Sequence, residues 1–276
     1  HAATNIDITE DTINKGLNQT TVDNVRVQAG VYWSLDDVSK LKILGNLENY
    51  GELYVTSAAK KSEALDISGE SVFYNEGIAL FDSTGSENKS SRYEFSGTGF
   101  QNFGDVYFGT SGNDTSPETL LAGSTWINYG TLNVFKNGTS DVRGRLSLGR
   151  SGLLVQNYGQ ICLYNHHYTQ LELLQGGGCI TLHNNSRIEL DCDSGADTQV
   201  VVLADSKSEL VVSGYSKCTV KVVGYGNGNK LMLSDAISSS SIDYDAQSGI
   251  LTLKTKYYAT CFDIGFFMQL HHHTQT

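Results

Sequence analysis

One short string recurs along the chain at nearly constant spacing, and it limits the possible folds more than any other feature. It reads "NYGELYV" at Asn49, "NEGIALF" at Asn75, "NFGDVYF" at Asn102, "NYGTLNV" at Asn128 and "NYGQICL" at Asn157. Successive copies lie 26, 27, 26 and 29 residues apart, and a weaker sixth, "NNSRIEL", begins at Asn184. Self-similarity at a period of about 20–50 residues marks a solenoid, a propeller or an array. Each copy is a turn followed by alternating apolar residues, such as Leu132 and Val134 or Ile161 and Leu163, and each follows a strand-like segment such as "STWI". A period near 26 without helical patterning fits one coil of a parallel β-helix, whereas a WD-type blade needs about 40–45 residues.

Asn and Gly tolerate left-handed backbone angles, so "N-x-G" suits a bend between two strands of a coil. Stacked coils place Asn49, Asn75, Asn102, Asn128 and Asn157 above one another, where their amides can form a hydrogen-bonded ladder. Tyr50, Phe103, Tyr129 and Tyr158 form a parallel aromatic row, interrupted by Glu76. Exposed aromatics can stack on sugar rings, which makes these four the candidate ligand contacts; aromatic stacking for stability alone is the simpler account.

Composition agrees with an all-β chain: 29 Gly, 15 Tyr and a single Pro, with Val, Ile and Thr where strands are expected. After residue 195 the repeat fades into "TQVVVLA", "SELVVSG", "CTVKVVG" and "GILTLKT", joined by hairpin-like links such as "GYGNGN". The expected organisation is a parallel β-helix over 1–195, with "VRVQAGVYWSL" in an N-terminal cap. A small antiparallel β-sandwich over 196–276 then covers the far end, because an open coil end exposes core and strand edges.

The formal net charge is -11, with 19 Lys and Arg against 30 Asp and Glu and no basic cluster. Such a chain repels a phosphate backbone, so nucleic acid is not an expected partner. No apolar run reaches the roughly 18 residues of a bilayer span. "HAATNIDITE" has no signal-peptide core, so a secreted form has already lost its leader. Sequons at Asn18, Asn88, Asn113, Asn137 and Asn184 and five cysteines favour an extracellular protein. Strand parity turns Cys162 and Cys179 outward on adjacent coils, where they can pair. It turns Cys192 inward as a buried free thiol and leaves Cys218 and Cys261 for a second bridge, one of 15 connectivities.

Residues with catalytic potential are few. "DCDSGAD" offers Asp191, Asp193 and Asp197, but inverting glycoside hydrolysis needs two carboxyls across a cleft, and no Gly-His-Gly motif accompanies them. They read as an acidic turn, and Asp36–Asp37 as a turn or helix start. His166–His167 lack a third ligand, and His271 to His273 form a His-rich tail, so no metal site is expected. "QGGGC" lacks the Lys and helix of a phosphate loop, and "GRSGL" around Ser151 lacks the Gly-x-Ser-x-Gly spacing. No cofactor is expected.

"VYWSL" (Val31 to Leu35), the "NxG" coils, "NYGQICLYN…YTQ…GGGCITL" (Asn157 to Leu182) and "FDIGF" near the end together resemble a known family. It is the N-terminal domain of the hyphally regulated cell wall proteins, adhesin-like wall proteins of pathogenic Candida-type yeasts. The resemblance implies a right-handed parallel β-helix followed by a small sandwich of α-crystallin-like type. It also implies a monomeric, non-enzymatic extracellular head, held in the cell wall through a Ser/Thr-rich stalk and a GPI anchor. Its implied roles are adhesion, biofilm formation or wall surface properties, with host-cell, abiotic or wall surfaces and glycans as partners. It supplies no ligand-binding residues. The alternatives are a pectinase-like β-helix lyase or hydrolase and a purely structural wall protein.

Overall fold

The computed structural model describes residues 4–16, 19–57, 65–86, 90–112, 115–138, 141–237 and 241–266. One turn of the chain shows how the repeat works. Thr125–Asn128 is a strand of a first sheet, Thr131–Lys136 of a second and Gly144–Leu148 of a third. Trp126, Leu132, Val134, Leu146 and Leu148 point inward and are buried. The period-2 pattern of each strand thus sends alternate residues into a shared interior.

Stacked coils make three long sheets. Among the described residues the first has 8 strands, the second 13 and the third 10. Pairing between coils is parallel and the register does not slip: Asn49, Asn75, Asn102, Asn128 and Asn157 occupy one column. Like side chains therefore stack inside. Phe73 and Phe100 lie 4.9 Å apart at 6°, Phe100 and Trp126 5.3 Å apart at 19°. Offset-stacked rings at such distances add about 0.5–1.5 kcal/mol per pair beyond burial.

The asparagine column is a continuous ladder. The side-chain amide of Asn49 donates to Asn75 at 2.7 Å, Asn75 to Asn102 at 2.9 Å, Asn102 to Asn128 and Asn128 to Asn157 at 2.8 Å. Gln199 closes it, accepting from Asn157 Nδ2 at 2.7 Å. Apart from the Asn49 oxygen at its start, the ladder gives these buried amides partners, without which their burial is costly. "NNSRIEL" does not extend this column. Asn184 and Asn185 lie between Cys179–His183 of the second sheet and Arg187–Asp191 of the third, a different corner, with φ of 49° and 66°.

The glycines of the repeat serve another purpose than the one expected. None of the five ladder asparagines, nor Gly51, Gly77, Gly104, Gly130 or Gly159, has a left-handed φ. A Cβ on Gly130 would instead overlap the Gly104 carbonyl oxygen, one on Gly104 that of Gly77, and one on Gly159 that of Gly130. Glycine is needed because neighbouring coils approach backbone to backbone at this corner. The same carbonyls accept the next coil's first strand bond, as in Thr131 N–H to Gly104 O at 2.9 Å.

The segment expected as an N-terminal cap is regular coil. Val25–Val27 lies between Ile6–Ile8 and Leu47–Asn49, and Tyr32–Asp36 between Thr12–Lys15 and Glu52–Thr56, all in parallel. A second ladder marks these coils: Asn5 Oδ1 accepts from Asn24 N–H, Asn24 Oδ1 from Asn46 N–H, and Asn46 Oδ1 from the Ser71 hydroxyl. Asp36 ends a strand and Asp37 has φ 62°, so neither starts a helix.

Parallel stacking also continues past residue 195. Val200–Leu203, Thr219–Val223 and Ala259–Asp263 extend the second sheet in parallel; Glu209–Ser213 and Lys230–Leu233 extend the third. Antiparallel pairing among the described residues is confined to Ile242–Asp245, Ile250–Lys254 and Ala259–Asp263.

The disulfide joins Cys192 to Cys218, 26 residues on, with Cα atoms 5.7 Å apart. Cys162, Cys179 and Cys261 are free thiols. Each expected pairing fails for a geometric reason. Cys162 is in register with Thr181 and Cys179 with Gln160, so the two thiols are diagonal neighbours. Diagonal Cβ atoms stand about 7 Å apart, too far for a bridge that needs about 4 Å. Cys218 is buried, whereas Cys261 alternates with buried Thr260 and Phe262 and faces outward. Cys192 does point inward, as its parity requires, but Cys218 meets it from the next coil.

Candidate functional site

The corner that carries the asparagine ladder also carries the aromatic row. Each aromatic follows a ladder asparagine, and its N–H is tied to the coil before: Phe103 to Asn75 O at 2.7 Å, Tyr129 to Asn102 O and Tyr158 to Asn128 O at 2.8 Å. These bonds turn the ring outward. Tyr129 is 55% exposed, Tyr158 43% and Phe103 42%. Phe103 and Tyr129 stack at 5.6 Å and 11°, Tyr129 and Tyr158 at 4.8 Å and 11°.

Glu76 does not interrupt the row, because Tyr74 fills its place. Tyr74 points outward two residues earlier and lies 5.6 Å from both Tyr50 and Phe103. Its phenol donates to the Glu76 carboxylate, and that bond pushes its pKa up to about 12. Arg26 stands 5.2 Å over the Tyr50 ring, so a cation begins a series of five rings. Tyr74 was detectable in the sequence, since it shares strand parity with Glu76. The result is an aromatic strip, exposed from Phe103 to Tyr158 and tilted at Tyr74, whose stacked rings cover one another's faces and leave their edges to a ligand.

The carboxylates of "DCDSGAD" are occupied with turns. Asp191 accepts from Asp193 N–H at 3.0 Å and from the Ser194 hydroxyl at 3.2 Å. Asp193 accepts from Ser216 N–H at 2.8 Å and Tyr215 N–H at 2.9 Å, and bonds to Ser216 and Tyr215 hold its carboxyl below the usual range. A general acid needs the opposite shift. Asp197 belongs to a short 3-10 turn, Ala196–Thr198.

The two histidines face opposite ways. His167 lies 3.2 Å from Glu189 on the outer surface. His166 is fully buried, and burial lowers its pKa to about 4, so it is neutral. Its Nδ1 donates to Tyr164 O at 2.9 Å. No group of three or more His, Cys, Asp or Glu side chains among the described residues is arranged to hold a metal. His271 to His273 lie outside the described residues, as do the sequons at Asn18, Asn88 and Asn113. Asn137 and Asn184 are exposed, next to a polar depression of about 470 Å³ that both help to line.

Residues 1–267 match the family model described as "Hyphally regulated cell wall protein N-terminal". The chain belongs to this family. It is 33% identical to Cell wall protein IFF7 of Candida albicans over 276 residues, covering 94% of this chain and 38% of that protein. It is 34% identical to Hyphally regulated cell wall protein 3 of the same organism, covering 94% of this chain and 21% of that relative. For Cell wall protein IFF9, also from Candida albicans, the identity is 32% and the coverage 94% and 28%. The chain therefore spans between about a fifth and two fifths of these relatives' lengths. The family's shared description is a cell wall protein, and among the described residues no helix is long and apolar enough to cross a membrane.

Proposed function

We propose that this chain is the non-enzymatic, exposed head of a fungal cell-wall protein, contributing to adhesion, biofilm formation or the surface properties of the wall. The observation that carries the reading is the family match over 1–267, joined to a rigid stacked coil that displays an aromatic strip. This reading includes anchorage in the wall through a Ser/Thr-rich stalk and a GPI anchor, and glycans on exposed sequons such as Asn137 and Asn184. It also includes a right-handed coil ending in a sandwich-like region built on the antiparallel strands.

The competing reading is a polysaccharide-active β-helix enzyme. Turn bonding of Asp191 and Asp193 weighs against it, because neither carboxylate is left to share a cleft with a second acid. Incubation with pectin, glucan and mannan separates the two. The wall-protein reading expects no new reducing ends or unsaturated products, and either product overturns it. Beads coated with the domain should also adhere to epithelial cells, plastic or yeast wall more than uncoated beads do. No difference on any of the three surfaces removes adhesion and leaves a structural role.

A further inference from the structure

Outward side chains of the second sheet stack in columns, and one column has a gap. Asp82, Gly109, Phe135 and Tyr164 are in register on successive coils. Gly109 brings no side chain to its place, so a notch of about 230 Å³ opens between Asp82 and Phe135. The neighbouring column supplies its flank with Leu80, Tyr107 and Asn133. A Cβ on Gly109 would stand 2.9 Å from Asp82 Oδ1, so even alanine encroaches on this space.

The lining combines two chemistries. Tyr107 and Phe135 are each 37% exposed, and Phe135 is held from the far side by edge contact with Tyr164 at 5.8 Å. Asp82 Oδ1 accepts from Thr84 N–H at 2.8 Å, which fixes the carboxylate. Its Oδ2 and the Asn133 amide have no hydrogen-bond partner among the described residues, and no Lys or Arg there pairs with Asp82. A carboxylate attracts hydrogen-bond donors and repels anions. Ring faces beside it favour a ligand that is apolar on one side.

We propose that this notch binds one neutral hexopyranose residue of a glycan. The sugar's C–H face lies on Phe135, two hydroxyls donate to Asp82, and the Asn133 amide both donates and accepts. A uronic acid is excluded by the carboxylate. The site is separate from the aromatic strip and independent of the wall-protein reading, since a wall protein needs no sugar site.

The test is titration of the chain with methyl α-mannopyranoside, methyl β-glucopyranoside, methyl β-galactopyranoside and glucuronate, followed by saturation-transfer NMR. At least one neutral glycoside should bind with a Kd on the order of 1 mM, as expected for about a dozen ligand atoms on an open surface. Phe135→Ala and Asp82→Asn should each weaken it at least tenfold, and Gly109→Ser should abolish it. Tyr129→Ala, on the strip, should leave it unchanged. Asp82→Asn preserves shape, and circular dichroism verifies the fold of each variant. Absence of saturation by every neutral glycoside, undiminished binding in folded Asp82→Asn, or a preference for glucuronate overturns the proposal. None of these outcomes bears on the polysaccharide-cleavage assay that tests the wall-protein reading.

Discussion

Asn102 and Asn128 lie one coil apart, and the Asn102 amide donates both to Asn128 Oδ1 at 2.8 Å and to the Thr131 carbonyl at 3.1 Å. One side chain thus links two coils and satisfies a backbone oxygen at the corner. Within the ladder each amide both gives and receives, whereas Asn49 at its start has an oxygen with no partner. Asn102→Ala should therefore cost about 2–3 kcal/mol, because it strands buried groups on both neighbours, and Asn49→Ala about 1 kcal/mol. Urea denaturation of the two variants measures the difference; equal losses would show that the ladder does not act through its connections.

Gly130 and Gly177 differ only in what surrounds them. A Cβ at Gly130 meets the Gly104 backbone, whereas nothing lies within 4 Å of one at Gly177. Gly130→Ala should destabilise by about 3 kcal/mol or more, since backbone cannot give way as a side-chain tip does. Gly177→Ala should be neutral within about 0.5 kcal/mol. Thermal melts of both settle whether close approach is what the repeat's glycine serves.

Much of the coil was legible because register and sequence spacing are the same quantity in a parallel stack. Asparagines 26 to 29 residues apart had to align once the coil was recognised. The first coils were not legible: Asn5, Asn24 and Asn46 are spaced 19 and 22 residues apart and lack "N-x-G", so the period does not find them. The disulfide was not legible from the period: coils near it are 21 or 22 residues long, as in Val200 beside Lys221 and Arg187 beside Glu209, whereas Cys192 and Cys218 are 26 apart. The notch at Gly109 was invisible in the sequence, because it depends on what stands above and below a glycine.

That disulfide closes a loop of 26 residues. On chain entropy it contributes about 3.5 kcal/mol, so Cys192→Ser should lower stability by an amount near that. Peptide mapping after alkylation should find Cys192 linked to Cys218 and label on Cys162, Cys179 and Cys261. Before unfolding, Cys162 should react slowly at pH 8, because burial, and then the nearby Cys179, push its thiol up to about 11. A Cys162–Cys179 crosslink in the map would contradict the register.

His166 makes stability depend on pH. Its pKa is lowered from 6.5 to about 4 by burial, so between those values the unfolded chain holds a proton that the folded chain does not. Stability from this group is complete above about pH 6.5 and is lost as pH falls toward 4, to a total of about 3 kcal/mol. Buried Glu172 acts oppositely, because burial raises its pKa and folding favours its protonated form. The difference between wild type and His166→Leu isolates the histidine: the variant should lose less stability from pH 7 to 4, and parallel profiles would refute a neutral buried ring.

The central claim is that "N-x-G" marks one coil and that coils are structural units. Deleting residues 103–128 removes one repeat of 26 residues and joins Asn102 to Tyr129 in phase. The claim predicts a soluble chain that keeps its strand circular dichroism and unfolds cooperatively, since coils interact mainly with their neighbours. Deleting residues 103–115, half that length, should abolish folding. Loss of structure in the full-coil deletion, or equal tolerance of the half-coil one, would contradict it.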